Sequence, residues 1–503
     1  MKSALSFSLT SSVIALFLLS VPAFAQDDQR VQELERVIDS QQRQLEAQQT
    51  QIDAQGQLLQ ALQEQLKSLA TGVAVREPTV AAEEPAEPRV ETVADIQEAT
   101  DTAEEPESET AKATPERRTD ILSDKARHDT DTPSGSAVQY SKSAVTITEP
   151  RTKTEIGIHG FAEFQIIYDT NGSDNNEFDT FLIPVPDGDS QTKFSVNPSR
   201  LGFTSETPLG FGRLNTLVSM DLNGKLDTPM PRLREAYGEF IHDDLDFALL
   251  GGQTFSTMLN LKSVPETLDF AGPTGYFARR QPLLRFSKLF NHQFLLDISA
   301  ETPENSVYTG ASRRTRAPDF AVAIAFDDAE SVYLDNVRLL AFFRDLGAED
   351  DLTGAKDWVF GWAVGGSGKV NLPFLDARDN LKFGVQYGEG YGGQLKSGPA
   401  DAVFNPVTLE LETIEVLSAY GGIQHWWTET IRSNAVFGYV KAYNPGFIGD
   451  DQLDNTTYFA ASLIWNPWKS VTVGTEYLRG RLENADGESA NANRVIFHSK
   501  FDF

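Results

Sequence analysis

Arg494-Val495-Ile496-Phe497-His498-Ser499-Lys500-Phe501-Asp502-Phe503 closes the chain, and its reading decides the fold. In an extended segment successive side chains point to opposite faces. Val495, Phe497, Phe501 and Phe503 therefore share one face, while Arg494, His498, Lys500 and Asp502 share the other. One face fits hydrocarbon and the other fits water, the alternation of a strand in a membrane-spanning β-barrel.

Working outward from this end, strands are expected near 155–169, 192–205, 209–223, 231–243, 245–256, 281–290, 292–303, 317–327, 331–345, 355–371, 378–391, 411–426, 429–443, 456–466, 469–483 and 491–503. Sixteen is an even number, as single-chain bacterial barrels require. Connections after even strands are short, among them Glu206-Thr207-Pro208, Asn291 and Trp427-Thr428. Those after odd strands are mostly long, such as Asn171 to Gln191, Phe255 to Arg280 and Tyr391 to Leu409. Short periplasmic turns and long external loops follow that rule. Phe290, Phe326, Phe374, Trp426, Trp427, Trp465, Trp468 and Phe503 gather at the short-turn end, as an interfacial girdle requires. Sixteen strands enclose a wet lumen rather than a packed core. The terminal Phe503 also resembles the signal by which the barrel assembly machinery recognises its clients.

Three segments precede the barrel, which takes residues 154–503. Residues 1–25 read as an export signal, with Lys2, an apolar core Val13 to Leu19, and a small-x-small cleavage site at Ala23-Phe24-Ala25. No later stretch has the 18 apolar residues of a membrane helix. Residues 26–70 carry heptads. Val31, Ile38, Leu45, Ile52, Leu59 and Leu66 occupy a, while Leu34, Leu62 and Leu69 occupy d around the central layers Gln41, Gln48 and Gln55. This pattern predicts a parallel periplasmic coiled coil about 60 Å long, a trimer rather than a dimer. Residues 71–153 lack periodicity and are rich in Pro, Glu, Ala, Thr and Asp, so a flexible, charge-extended linker is expected.

The formal charge of −30 argues against nucleic acid, and the absence of cysteine excludes a disulfide framework. Gly365-Gly366-Ser367-Gly368-Lys369 lacks both the leading glycine and the trailing Ser/Thr of a phosphate loop. The six histidines are scattered without metal-ligand spacing, and the acids from Asp174 to Asp179 read as a solvated loop rather than a calcium site. No enzyme, cofactor or metal is expected.

The third long connection, Phe255 to Arg280, is too apolar for a loop in water. Leu259, Leu261, Pro265, Leu268, Phe270, Pro273, Tyr276 and Phe277 would find burial only inside the barrel, where the loop would constrict the pore. Basic residues cluster nearby: Arg200, Arg232 and Arg234 at period two, Arg279, Arg280, Arg285 and Lys288. A charge on the lipid face near mid-membrane costs about 2–4 kcal/mol, so most should face water. An arginine ladder in a pore attracts carboxylates and phosphates, with Glu266 and Asp269 of the folded loop expected opposite it.

Five phrases carry a family resemblance: Ser199-Arg200-Leu201-Gly202-Phe203, Arg232 to Glu239, Gly252-Gln253-Thr254, Pro265 to Phe270, and Arg280 to Arg285. With the order of signal, coiled coil, linker and barrel, the chain resembles the DcaP-like porins. The resemblance implies a homotrimeric channel in the Gram-negative outer membrane, seated among lipid and lipopolysaccharide, that favours small organic anions such as dicarboxylates. Arg200, Arg232, Arg234, Arg280 and Arg285 would line its eyelet. The alternative is an envelope tether, in which the coiled coil binds a partner such as peptidoglycan and the barrel is an anchor.

Overall fold

A computed structural model describes residues 120–124, 145–171, 176–185, 188–224, 228–304, 306–308, 310–328, 331–449 and 451–503. The export signal, the heptads and most of the linker lie outside the described residues.

Sixteen antiparallel strands close into a barrel. They are β1 (Glu155–Asp169), β2 (Gln191–Ser195 continued by Arg200–Leu209), β3 (Gly212–Asp221), β4 (Arg232–His242), β5 (Phe247–Phe255), β6 (Arg280–Phe290), β7 (Phe294–Glu301) and β8 (Asp319–Asp327). Then come β9 (Leu334–Asp350), β10 (Lys356–Asn371), β11 (Asn380–Glu389), β12 (Glu415–Trp426), β13 (Ile431–Tyr443), β14 (Leu453–Trp468), β15 (Val471–Asn484) and β16 (Ser489–Asp502). Each pairs with its chain neighbour. The first and last strands pair from Phe161↔Asp502 to Asp169↔Arg494, which removes the free edges. At the seam, the Gly160 and Phe503 backbones exchange hydrogen bonds of 3.1 and 2.9 Å.

The terminal strand shows why closure is stable. Phe497, Phe501 and Phe503 are 56, 52 and 49 % exposed on the outside, whereas Arg494, His498 and Lys500 are buried on the inside. The same alternation runs round the barrel, with Leu249, Leu284, Ile298, Ile324, Leu339 and Phe437 outermost. Such a surface is stable only against hydrocarbon. Phe290, Phe374, Trp427, Trp465, Trp468 and Phe503 stand exposed at the short-turn end. Tyr168, Phe360, Tyr387, Tyr443 and Tyr477 are exposed toward the other. Among the described residues no helix is long and apolar enough to cross a membrane.

Three local expectations change. The first short turn is Gly210-Phe211, because β2 continues pairing with β3 to Leu209↔Gly212. Pro208 is tolerated there because β1 stops at Glu155↔Glu206, leaving that flank without a ladder to break. Lys288 points outward, but at the turn end, where Nζ donates to the Leu245 carbonyl and lies over Phe290, so its charge snorkels to the interface. The linker is not featureless: Val145–Thr148 pairs with the foot of β1, and Asp120–Leu122 forms a 3₁₀ turn that buries Leu122.

Candidate functional site

The third loop, between Phe255 and Arg280, lies inside the barrel. Met258, Leu259, Leu261, Val264, Tyr276 and Phe277 bury against Ala321, Ala323, Leu340, Phe342, Ala363, Val416 and Val440 of the inner wall. The far wall is cut to receive it. A Cβ on Gly438 would stand 2.4 Å from the Thr274 carbonyl oxygen, and one on Gly422 would stand 2.6 Å from Pro265 Cβ. Glycine is what permits backbone to approach backbone so closely.

Polar bonds fix the loop along its course. Near its start, the Thr257 amide donates to Glu301 (2.9 Å) and the Thr257 carbonyl accepts from Arg338 (2.8 Å). Ser263 and Tyr420 share a hydroxyl hydrogen bond of 2.7 Å. Glu266 lies in a bidentate pair with Arg432 of β13, at 2.6 and 2.8 Å, with both side chains almost fully buried. Glu476 of β15 accepts the backbone N–H groups of Leu268 and Asp269 at 2.9 and 2.8 Å. Asp269 in turn accepts from the Phe178 amide of the first loop at 3.1 Å. Glu266 and Asp269 are therefore fasteners of the loop, not a free acidic rim opposite the arginines.

Loops one and six close over this assembly. Lys396, in the loop between Gly390 and Ile414, pairs with Asp179 and Glu177 of the first loop at 3.3 and 3.4 Å. Burial works against the Lys396 charge, but Asp179 and Glu177 together hold its pKa above the ordinary lysine value. These first-loop acids thus engage a lysine, and among the described residues no acidic or histidine cluster is suited to a metal.

Across the lumen stand the arginines. The β3–β4 register slips between Ser219↔Glu235 and Met220↔Leu233, leaving Arg234 in a β-bulge. The bulge aims Arg234 inward beside Arg232. Both bind one carboxylate, Asp221 of β3: Arg232 at 3.1 and 2.9 Å and Arg234 at 2.7 Å. Phe270 of the third loop lies 5.9 and 5.5 Å from these two guanidinium carbons, within cation–π range. Arg280 lies over Phe255 at 5.0 Å and interacts with Arg232 and Arg234. Arg200 is buried over Phe161 at 5.2 Å.

Of the residues named from sequence, Arg232, Arg234 and Arg280 come together, with Arg200 on the neighbouring wall. Arg279 is half-exposed at the loop's exit, where it donates to the Gly393 carbonyl (2.8 Å) and faces Glu304 (3.5 Å). Arg285 points inward but pairs with Asp124 of the linker. Sequence reasoning missed the partner Asp221, the inward arginines Arg338, Arg344 and Arg432, which pair with Asp297, Asp319 and Glu266, and the pairing of Arg494 with Asp169. Their signal was parity: each occupies an inward position of its strand.

No family model matches the chain, and no curated protein matches it. Solved structures do. The outer membrane channel DcaP of Acinetobacter baumannii superposes with a TM-score of 0.63 at 20% identity, over 71% of this chain and 99% of that one. The anion-selective porin from Comamonas acidovorans gives 0.48 at 10% identity over 70% and 100%. Salmonella typhi OmpF gives 0.45 at 13% over 71% and 100%. The resemblance read from the sequence holds at the level of fold: this barrel is built like that of the DcaP channel.

Proposed function

We propose that the chain is a passive diffusion channel of the outer membrane, working as a homotrimer and preferring small organic anions such as dicarboxylates. The observation that carries this reading is the cluster of Arg232, Arg234 and Arg280 beside the third loop inside the barrel, in which Arg232 is partly exposed and Arg234 is buried. Arg232 and Arg234 share one carboxylate, and Arg280 adds a third positive charge beside them. Fixed positive charge at a narrow point raises the local concentration of anions. Paired guanidinium forks also match a carboxylate better than lysine does. Selection needs no covalent step and no energy input, since pore width and fixed charge suffice. The coiled coil expected over residues 26–70 would hold three barrels in register from the periplasm. The likeness to the DcaP channel supports the barrel and does not itself assign a solute.

The test is electrical. Purified protein in a planar bilayer should give stepwise conductance that millimolar succinate reduces by transient block and an uncharged diol of equal length does not. Absence of steps at any protein concentration would remove the channel, and equal block by both compounds would remove the dicarboxylate preference.

A further inference from the structure

The inner wall carries a patch that a water-filled lumen does not explain. Ile241, Ala248, Leu289, Leu295 and Ala325, from the five successive strands β4 to β8, form one apolar cluster on the inside of the barrel. Leu122 sits on it, fully buried, with Ile121 packed alongside. Leu122 is the only leucine between Thr71 and Lys153, and the linker brings it to this apolar wall. Polar contacts fix both ends of the segment. Asp120 pairs with Arg213 at 2.7 Å, and the same guanidinium holds Asp243 of a short turn at 2.6 Å. At the other end Asp124 pairs with Arg285, accepts from the Thr254 hydroxyl at 2.8 Å, and donates its amide to Glu239 at 2.9 Å. Ser123 Oγ lies 3.4 Å from Asn215 Nδ2.

The direction of the segment follows from these partners. Asp243 marks the short-turn mouth, while Thr254 directly precedes Phe255, where the third loop leaves the wall. Residues 120–124 therefore climb the inner wall from the mouth to the foot of the constriction. They cover Arg285, one of the arginines expected in the eyelet.

From this we infer that residues 120–124 are an internal plug, a piece of the chain's own linker that narrows the lumen from the short-turn side and neutralises Arg285. The site it fills recognises an acidic peptide with an aliphatic centre: Arg213 and Arg285 take the two carboxylates, and the β4–β8 patch takes the leucine. This inference rests on the channel reading, since a plug has meaning only in a conducting pore.

Two variants of the full-length protein test it. Leu122→Asp puts a charge on the apolar patch and should release the segment, raising single-channel conductance about twofold as the pore widens, with a shift toward greater anion selectivity as Arg285 is uncovered. In a chain without cysteine, the pair Ser123→Cys with Asn215→Cys should cross-link on oxidation and hold conductance at or below the wild-type level. Wild-type conductance in Leu122→Asp, or two thiols that alkylate freely and never cross-link, overturns the plug while leaving the channel intact. If the wild type itself does not conduct, the channel reading fails and the plug with it.

Discussion

The two halves of the lumen wall use the same residue types to opposite ends. On the arc from β12 to β15, charge is matched and consumed: Arg432 binds Glu266, and Glu476 binds two loop amides. Glycines at 422 and 438 let the loop lie flush. On the arc from β2 to β6, Arg232 and Arg234 share one aspartate, and Arg280 joins them. Matched charge in a buried place positions a loop, because breaking it would strand an ion out of water. Arg232, the partly exposed member of the second group, is the one within reach of what passes. Charge-bearing residues in a barrel thus divide by exposure rather than by type.

That division can be broken from either side. Arg432→Ala should have the largest effect, leaving Glu266 buried without its cation at a cost of about 3–5 kcal/mol. Urea unfolding in detergent should shift strongly downward, and a midpoint within error of the wild type would show that the far arc does not clamp the loop. Gly438→Val should come next. Its side chain would invade the Thr274 backbone at a cost of about 1–3 kcal/mol, displacing the loop, raising conductance and weakening selectivity. Unchanged conductance would mean that the loop does not set the pore width. The double change Arg232→Ala with Arg234→Ala leaves Asp221 buried without its cations, so it should lower the unfolding midpoint as well, and it should lower the chloride-to-potassium permeability ratio severalfold. In the wild type the same ratio should fall as salt is raised and the ladder is screened; a salt-independent ratio would point to size rather than charge. Smallest of all, Arg316→Ala removes an exposed pair with Asp345 and should change neither stability nor selectivity detectably.

The sequence made the barrel legible because hydrocarbon and water impose a period of two on every strand, and Phe497 or Phe501 on the wrong face could not be hidden. The third loop was legible for the same reason: Leu259, Leu268, Phe270 and Phe277 are apolar where a solvated loop would not be. The arginines were visible as types, but their roles were not. What Arg432 or Arg232 does depends on which carboxylate the fold brings to it, and Asp221, Glu266 and Asp169 stand 11, 166 and 325 residues from their partners in chain order. The bulge that turns Arg234 inward has no signature in composition. Residues 120–124 were hidden by their surroundings, since one Ile-Leu pair in a long acidic stretch gives no periodicity to read.

The central claim is tested most directly by the reversal potential of the wild-type protein in a planar bilayer with tenfold more KCl on one side. An anion-preferring pore lined by the arginine ladder requires displacement toward the chloride equilibrium potential, reduced when Arg232 and Arg234 are both alanine. A displacement toward the potassium potential, or one indifferent to those two arginines, would contradict it.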